Sequence, residues 1–168
     1  MLLAHGGVAV FFLGVLLTEG LSIEKDVAVG AGEDVAVAGY TFRFAGVERV
    51  QGPNYVADRG EVTVLDGERV VAVLHPEKRG YASGGQIMTE AAIEPGLTRD
   101  LYVALGEPLG GNGRWALRVY HKPFIRCIWL GALMMMLGGF VAASDRRFRE
   151  RVRERSTAGD ALRAAARA

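Results

Sequence analysis

Three histidines, one cysteine and a methionine triplet are the residues of this 168-residue chain whose types could do chemistry. His5 is set among apolar neighbours, in Leu3-Ala4-His5-Gly6-Gly7-Val8. Its neutral imidazole suits three roles: an axial ligand of haem iron, a station in a proton relay, or a hydrogen bond between helices. Gly6 and Gly7 remove side-chain bulk beside it, as a flat macrocycle or close helix packing would require. Met134-Met135-Met136 could supply a haem ligand, but a methionine run in an apolar helix is more often packing. His75 and His121 lie in polar segments and read as surface residues. A hydrolytic site built from either of them with Glu90 or Asp100 lacks a GxSxG elbow or an HExxH spacing. Cys127 opens an apolar run and reads as packing, because apolar surroundings suppress the reactive thiolate. Gly110-Gly111-Asn112-Gly113 precedes no helical pattern, so it reads as a hairpin turn rather than a phosphate loop.

These residues are positioned by an uneven distribution of charge. The chain carries 20 Lys+Arg against 19 Asp+Glu, a net charge of +1. That balance gives no electrostatic footprint for nucleic acid. Half the residues are hydrophobic, which excludes a mainly disordered chain. One cysteine excludes an intramolecular disulfide framework and a CxxC site.

From Met1 to Leu17 there is no charged side chain other than the titratable His5. A helix of 17 to 23 residues is about 26–35 Å long, enough to cross a hydrocarbon core of ~30 Å. A second uncharged run, Cys127 to Ala143, follows Pro123 and Arg126. Pro123 suits a helix start, Arg126 can reach the headgroups, and Trp129 fits an interfacial belt. Both runs are expected to span a membrane. From Asp145 onward eight arginines face four acids, a net +4, whereas residues 24–122 carry eleven basic and fourteen acidic side chains, a net −3. The positive-inside rule therefore places the tail in the cytoplasm and the middle segment outside.

The middle segment alternates rather than showing a helical stripe. Tyr40, Phe42 and Phe44 point one way, and Thr41 and Arg43 the other. Val62 to Val64 and Val70 to Leu74 flank Asp66-Gly67, a hairpin signal. Leu101 to Leu105 and Trp115 to Tyr120 form a further pair. Turn signals at Gly52-Pro53-Asn54, His75-Pro76 and Ser83-Gly84-Gly85 complete six to eight short strands. The expected fold is thus a membrane protein with two transmembrane α-helices flanking an all-β extracytoplasmic domain, a small β-barrel or sandwich. The expected division is a helix at 1–23, the β-domain at 24–122, a helix at 123–144 and a basic tail at 145–168.

Seven strings occur in one order: LAHGGVAV from Leu3, QGPNY from Gln51, HPEKR from His75, MTEAAI from Met88, GLTRDLYVALGEP from Gly96, KPFIRCIWLGAL from Lys122, and SDRR from Ser144. Together they resemble the C-terminal part of the CcmF family, the haem lyase subunit of bacterial cytochrome c maturation. The resemblance runs from residue 2 to about 149. It implies an inner-membrane protein with its β-domain in the periplasm and a haem b in the membrane. It also implies a CcmH-like subunit, the haem chaperone CcmE and apocytochrome c as partners, beside the remaining CcmF helices. The histidine of the LAH string, His5 here, would be one axial ligand of the haem iron. The family's tryptophan-rich haem-handling segment and its other haem-binding histidines have no counterpart in this sequence. The expectation is therefore a portion of a longer or split protein, not catalytic alone, that binds haem b and supports covalent haem attachment. The alternative is a haem-free two-span scaffold whose β-domain binds partner proteins.

Overall fold

The computed structural model describes residues 2–82, 84–110 and 113–144. The arginine-rich tail lies outside the described residues. An N-terminal helix, α1 (Leu2–Leu21), leads into ten strands: β1 (Ile23–Val29), β2 (Asp34–Val37), β3 (Tyr40–Gln51), β4 (Tyr55–Asp66), β5 (Arg69–Leu74), β6 (Glu77–Tyr81), β7 (Ile87–Glu90), β8 (Ala92–Pro95), β9 (Arg99–Leu109) and β10 (Arg114–Pro123). A second helix, α2 (Ile125–Ser144), follows. The chain divides into two compact units, one made of residues 2–15 with 127–144, the other of residues 16–126.

In the helical unit the two helices run antiparallel along a seam of glycines. A Cβ added at Gly7 would lie 2.7 Å from the Met135 nitrogen, and one at Gly131 only 2.4 Å from the Phe11 nitrogen. Gly138 meets Ala4, and Gly14 meets Cys127 and Ile128, at equally short range. Gly7 and Gly14, like Gly131 and Gly138, are seven residues apart, so they repeat on one helix face. Without side chains there, the backbones approach closely enough for dispersion contacts to hold the pair. Gly139 meets nothing within 4 Å and contributes nothing to this seam. Both helices are long and apolar enough to cross a membrane.

The other unit is a sandwich of two antiparallel sheets. One is ordered β1-β10-β9-β8. The other is ordered β2-β3-β4-β6-β7, with β5 also paired to β4. The inward residues alternate as the pleat requires. Phe42 and Phe44 from β3, Val62 and Val64 from β4, and Leu101, Val103, Leu117 and Val119 from β9 and β10 form the core. Ten strands among the described residues replace the six to eight expected. The surplus comes from four-residue strands at sheet edges (β2, β7, β8), too short to show alternation in sequence. Asp66-Gly67 does turn β4 into β5, with Gly67 at φ +61. Ala38 (φ +51) and Gly39 (φ +84) form the two-residue turn between β2 and β3.

The seam predicts an asymmetry between neighbouring glycines. Gly131→Leu should widen the separation of spin labels placed at Leu3 and Phe140, whereas Gly139→Leu should leave it unchanged. Pulsed electron resonance measures both, and an equal response of the two variants would contradict the packing.

Candidate functional site

His5 lies in the second turn of α1 and is exposed. At about 100° per residue it points about 200° away from Gly7, opposite the glycine seam. Leu2, Ala9 and Phe12 share its outward face and are also exposed. His5 is thus the polar member of an apolar face that α2 does not cover. Met134 and Met135 instead sit against Gly6 and Gly7 of the neighbouring helix. Met136 is exposed and lies off the seam. The structure therefore gives two of the three methionines a packing role. Among the described residues no group of three or more His, Cys, Asp or Glu side chains could hold a metal ion. A single imidazole on an apolar helix face is nevertheless the donor that a planar iron macrocycle takes from one helix.

A second cluster stands where the sandwich meets the helix ends, within the unit 16–126. Thr18 is buried, and its Oγ1 donates to the Pro123 carbonyl at 2.9 Å. The Phe124 N–H donates to the Thr98 carbonyl at 2.9 Å. Arg126 Nε donates to the Gly96 carbonyl at 3.0 Å, and the Gly96 N–H to Asp100 Oδ1 at 3.0 Å. Phe124 has φ +59, a conformation costly for a bulky residue, by which the chain turns from β10 into α2. Arg99 donates from Nε to the Tyr40 hydroxyl at 3.1 Å and lies over the same ring. His121 stacks on Tyr40, and its buried Nδ1 has no hydrogen-bond partner. Burial, reinforced by the charge of Arg99, holds this imidazole below its ordinary pKa. His121 is thus not the surface residue expected. It follows Leu117 and Val119 on the inward side of β10. Neither hydrolytic pairing forms: Glu90 pairs with Arg79, and Asp100 accepts from Gly96.

The HPEKR string is a corner of the sandwich. Its Pro76 carbonyl accepts from the Gly60 N–H at 2.8 Å, at the point where β4 exchanges β5 for β6 as its partner. Glu77 is buried and accepts from Arg59 Nε at 2.6 Å and Arg79 Nε at 2.8 Å. Lys78 pairs with Glu107. His75 is exposed and 3.7 Å from Glu61. Sequence reasoning misses Glu77 and Thr18, and considers Asp100 as a hydrolytic partner rather than as the acceptor of the Gly96 N–H. An acid between Pro76 and Lys78 carries no signal of burial, because one of its two arginine partners, Arg59, is distant in sequence.

Residues 20–123, from the end of α1 to the end of β10, match the family described as "CcmF C-terminal beta-sandwich". The chain belongs to the CcmF family. It is 51% identical over 155 residues to the cytochrome c-type biogenesis protein CcmF of Pseudomonas fluorescens, covering 92% of this chain and 23% of that protein. Against the CcmF of Escherichia coli K12 it is 45% identical over 162 residues, covering 96% and 25%. A solved cytochrome c haem lyase CcmF shares the fold with a TM-score of 0.68 at 19% identity, over 82% of this chain and 23% of that one. The chain thus spans about a quarter of the length of the curated CcmF proteins it matches. The CcmF match settles the choice left open by the strand pattern in favour of a sandwich.

Burial alone would raise the pKa of Glu77, but the hydrogen bonds from Arg79 and Arg59 outweigh it and hold the carboxyl below its ordinary value. A depressed folded pKa stabilises the fold above the unfolded value, and this contribution is lost as pH falls through the folded value. Glu77→Gln should therefore cost about 1.5–3 kcal/mol at pH 7. In urea unfolding, that difference from the parent chain should shrink progressively as the solution is acidified below pH ~4.5. A difference that does not change with pH would refute the ion-pair assignment.

Proposed function

We propose that this chain is the membrane-anchored C-terminal module of a cytochrome c haem lyase, with His5 as one axial ligand of a haem b in the membrane. In this reading residues 1–23 and 123–144 span the inner membrane. Residues 24–122 form the periplasmic β-domain, and residues 145–168 lie in the cytoplasm. The observation that carries the assignment is the position of His5. It is the polar side chain on an apolar face turned away from α2, where a group held between α1 and another helix would meet it. A histidine within a spanning segment is rare and marks a functional position. Leu2 and Phe12 would exclude water from the same face, and the small Ala9 would leave room for a flat ring. The second axial ligand comes from a helix outside this chain. Haem b held there would supply a one-electron couple.

The sandwich supports the assembly rather than the chemistry. Its buried acids serve the fold, Glu77 accepting from Arg59 and Arg79 and Asp100 from the Gly96 N–H. The partners proposed for it are the remaining CcmF helices, a CcmH-like subunit, the haem chaperone CcmE and apocytochrome c. Covalent haem attachment would take place in that complex.

His5→Ala in the complete protein, purified at unchanged abundance, should lose the Soret band of the b haem. Added imidazole should restore part of it by entering the vacated ligand position. An undiminished band in the variant would overturn the assignment and favour a haem-free scaffold.

A further inference from the structure

The end of the sandwich from which the chain continues into both helices carries apolar side chains that the core does not claim. Leu97, at the tip of the turn joining β8 to β9, is 91% exposed. Leu21 and Ile23, where α1 gives way to β1, are 50% and 45% exposed. The Leu97 turn is held in place. Arg126, the second residue of α2, grips its Gly96 carbonyl, and Phe124 grips its Thr98 carbonyl. A Cβ on Gly96 would lie 2.4 Å from the Arg99 carbonyl oxygen, so the turn is also tight. These bonds hold the turn beside the first residues of α2.

Three basic and two acidic side chains stand near the turn. Arg126 is exposed, and Lys122 and Arg99 lie in register with Asp100 and Pro123 at the ends of β10 and β9. Of the acids, Asp100 is 6% exposed and turned to the Gly96 N–H, and Glu94 on β8 is half-buried. An exposed leucine with basic side chains nearby, beside the first residues of a spanning helix, has the composition of an interfacial anchor.

We infer that the turn 96–98 is a lipid contact, with Leu97 inserted at the boundary between headgroups and acyl chains and Arg126 meeting headgroup phosphates. This rests on the reading of α1 and α2 as membrane spans. The contact adds a third point of attachment to the two chain connections. It thereby limits rocking of the sandwich against the bilayer surface.

The test uses the full chain with Cys127→Ser, in bilayers of phosphatidylcholine and phosphatidylglycerol. Spin labels are placed singly at Leu97→Cys, at Asn54→Cys on the opposite end of the sandwich, and at Phe12→Cys within α1. Collision with oxygen and with a water-soluble nickel chelate reports depth. The oxygen-to-nickel ratio should be several-fold higher at 97 than at 54, and highest at 12. A low ratio at 12 would overturn the spanning reading and this inference with it. A high ratio at 12 with a nickel-accessible label at 97 would overturn the lipid contact alone. A label at 97 that neither reagent reaches would mean that protein covers Leu97, and would overturn it as well.

Discussion

The pairing of β1 with β10 is the constraint on which the rest of the molecule depends. Ile23 faces His121 and Val29 faces Trp115, so the first and last strands of the sandwich are hydrogen-bonded neighbours along the whole of β1. The segments leading to α1 and α2 therefore leave the sheet side by side. Closing a loop of about a hundred residues costs little more than closing a short one, because the entropy grows only logarithmically. A single well-formed ladder can hold it. Thr18 adds a bond to the Pro123 carbonyl, satisfying a backbone acceptor at the point where β10 ends and no strand partner continues.

The same need for satisfied backbone groups explains several of the sequence strings without assigning them chemistry. Gly52 leaves room for the Tyr55 ring, which would lie 2.4 Å from a Cβ there, and its N–H donates to the Tyr55 carbonyl. Pro76 places its carbonyl on Gly60 where β4 changes partners. Asp100 accepts from the Gly96 N–H, at a position with no room for a side chain. Glu77 is buried between two guanidiniums and bonds to both. A buried acid of this kind costs more to unpair than it contributes when paired, so it specifies the corner rather than merely stabilising it.

The architecture is legible in the sequence where pattern and length speak directly. Uncharged runs reveal the two helices, and alternation at Tyr40 to Phe44 and Leu101 to Leu105 reveals core strands whose inward residues are buried. Seven strings in one order point to the CcmF family. Less is legible where the determining contact is distant in sequence. Nothing in Gly7 or Gly131 distinguishes them from Gly139, because only the facing helix decides which glycine lies on the seam. His121 reads as a surface residue because Tyr120, Lys122 and Pro123 surround it, whereas the pleat turns it toward Tyr40, eighty-one positions away. His5 is visible from its type alone, and the structure adds the face on which it stands.

The glycine seam and the β1–β10 ladder divide the work of ordering the chain. One orders the helices and leaves His5 facing outward, and the other fixes the strands from which those helices depart. Amide hydrogen exchange of residues 23–29 in the bilayer-embedded protein tests this account most directly. The β1 amides bonded to β10 should exchange as slowly as those of Leu117 and Val119 in the core. Exchange at the rate of the exposed turns would show that β1 frays, and would contradict the ladder as the constraint that organises the molecule.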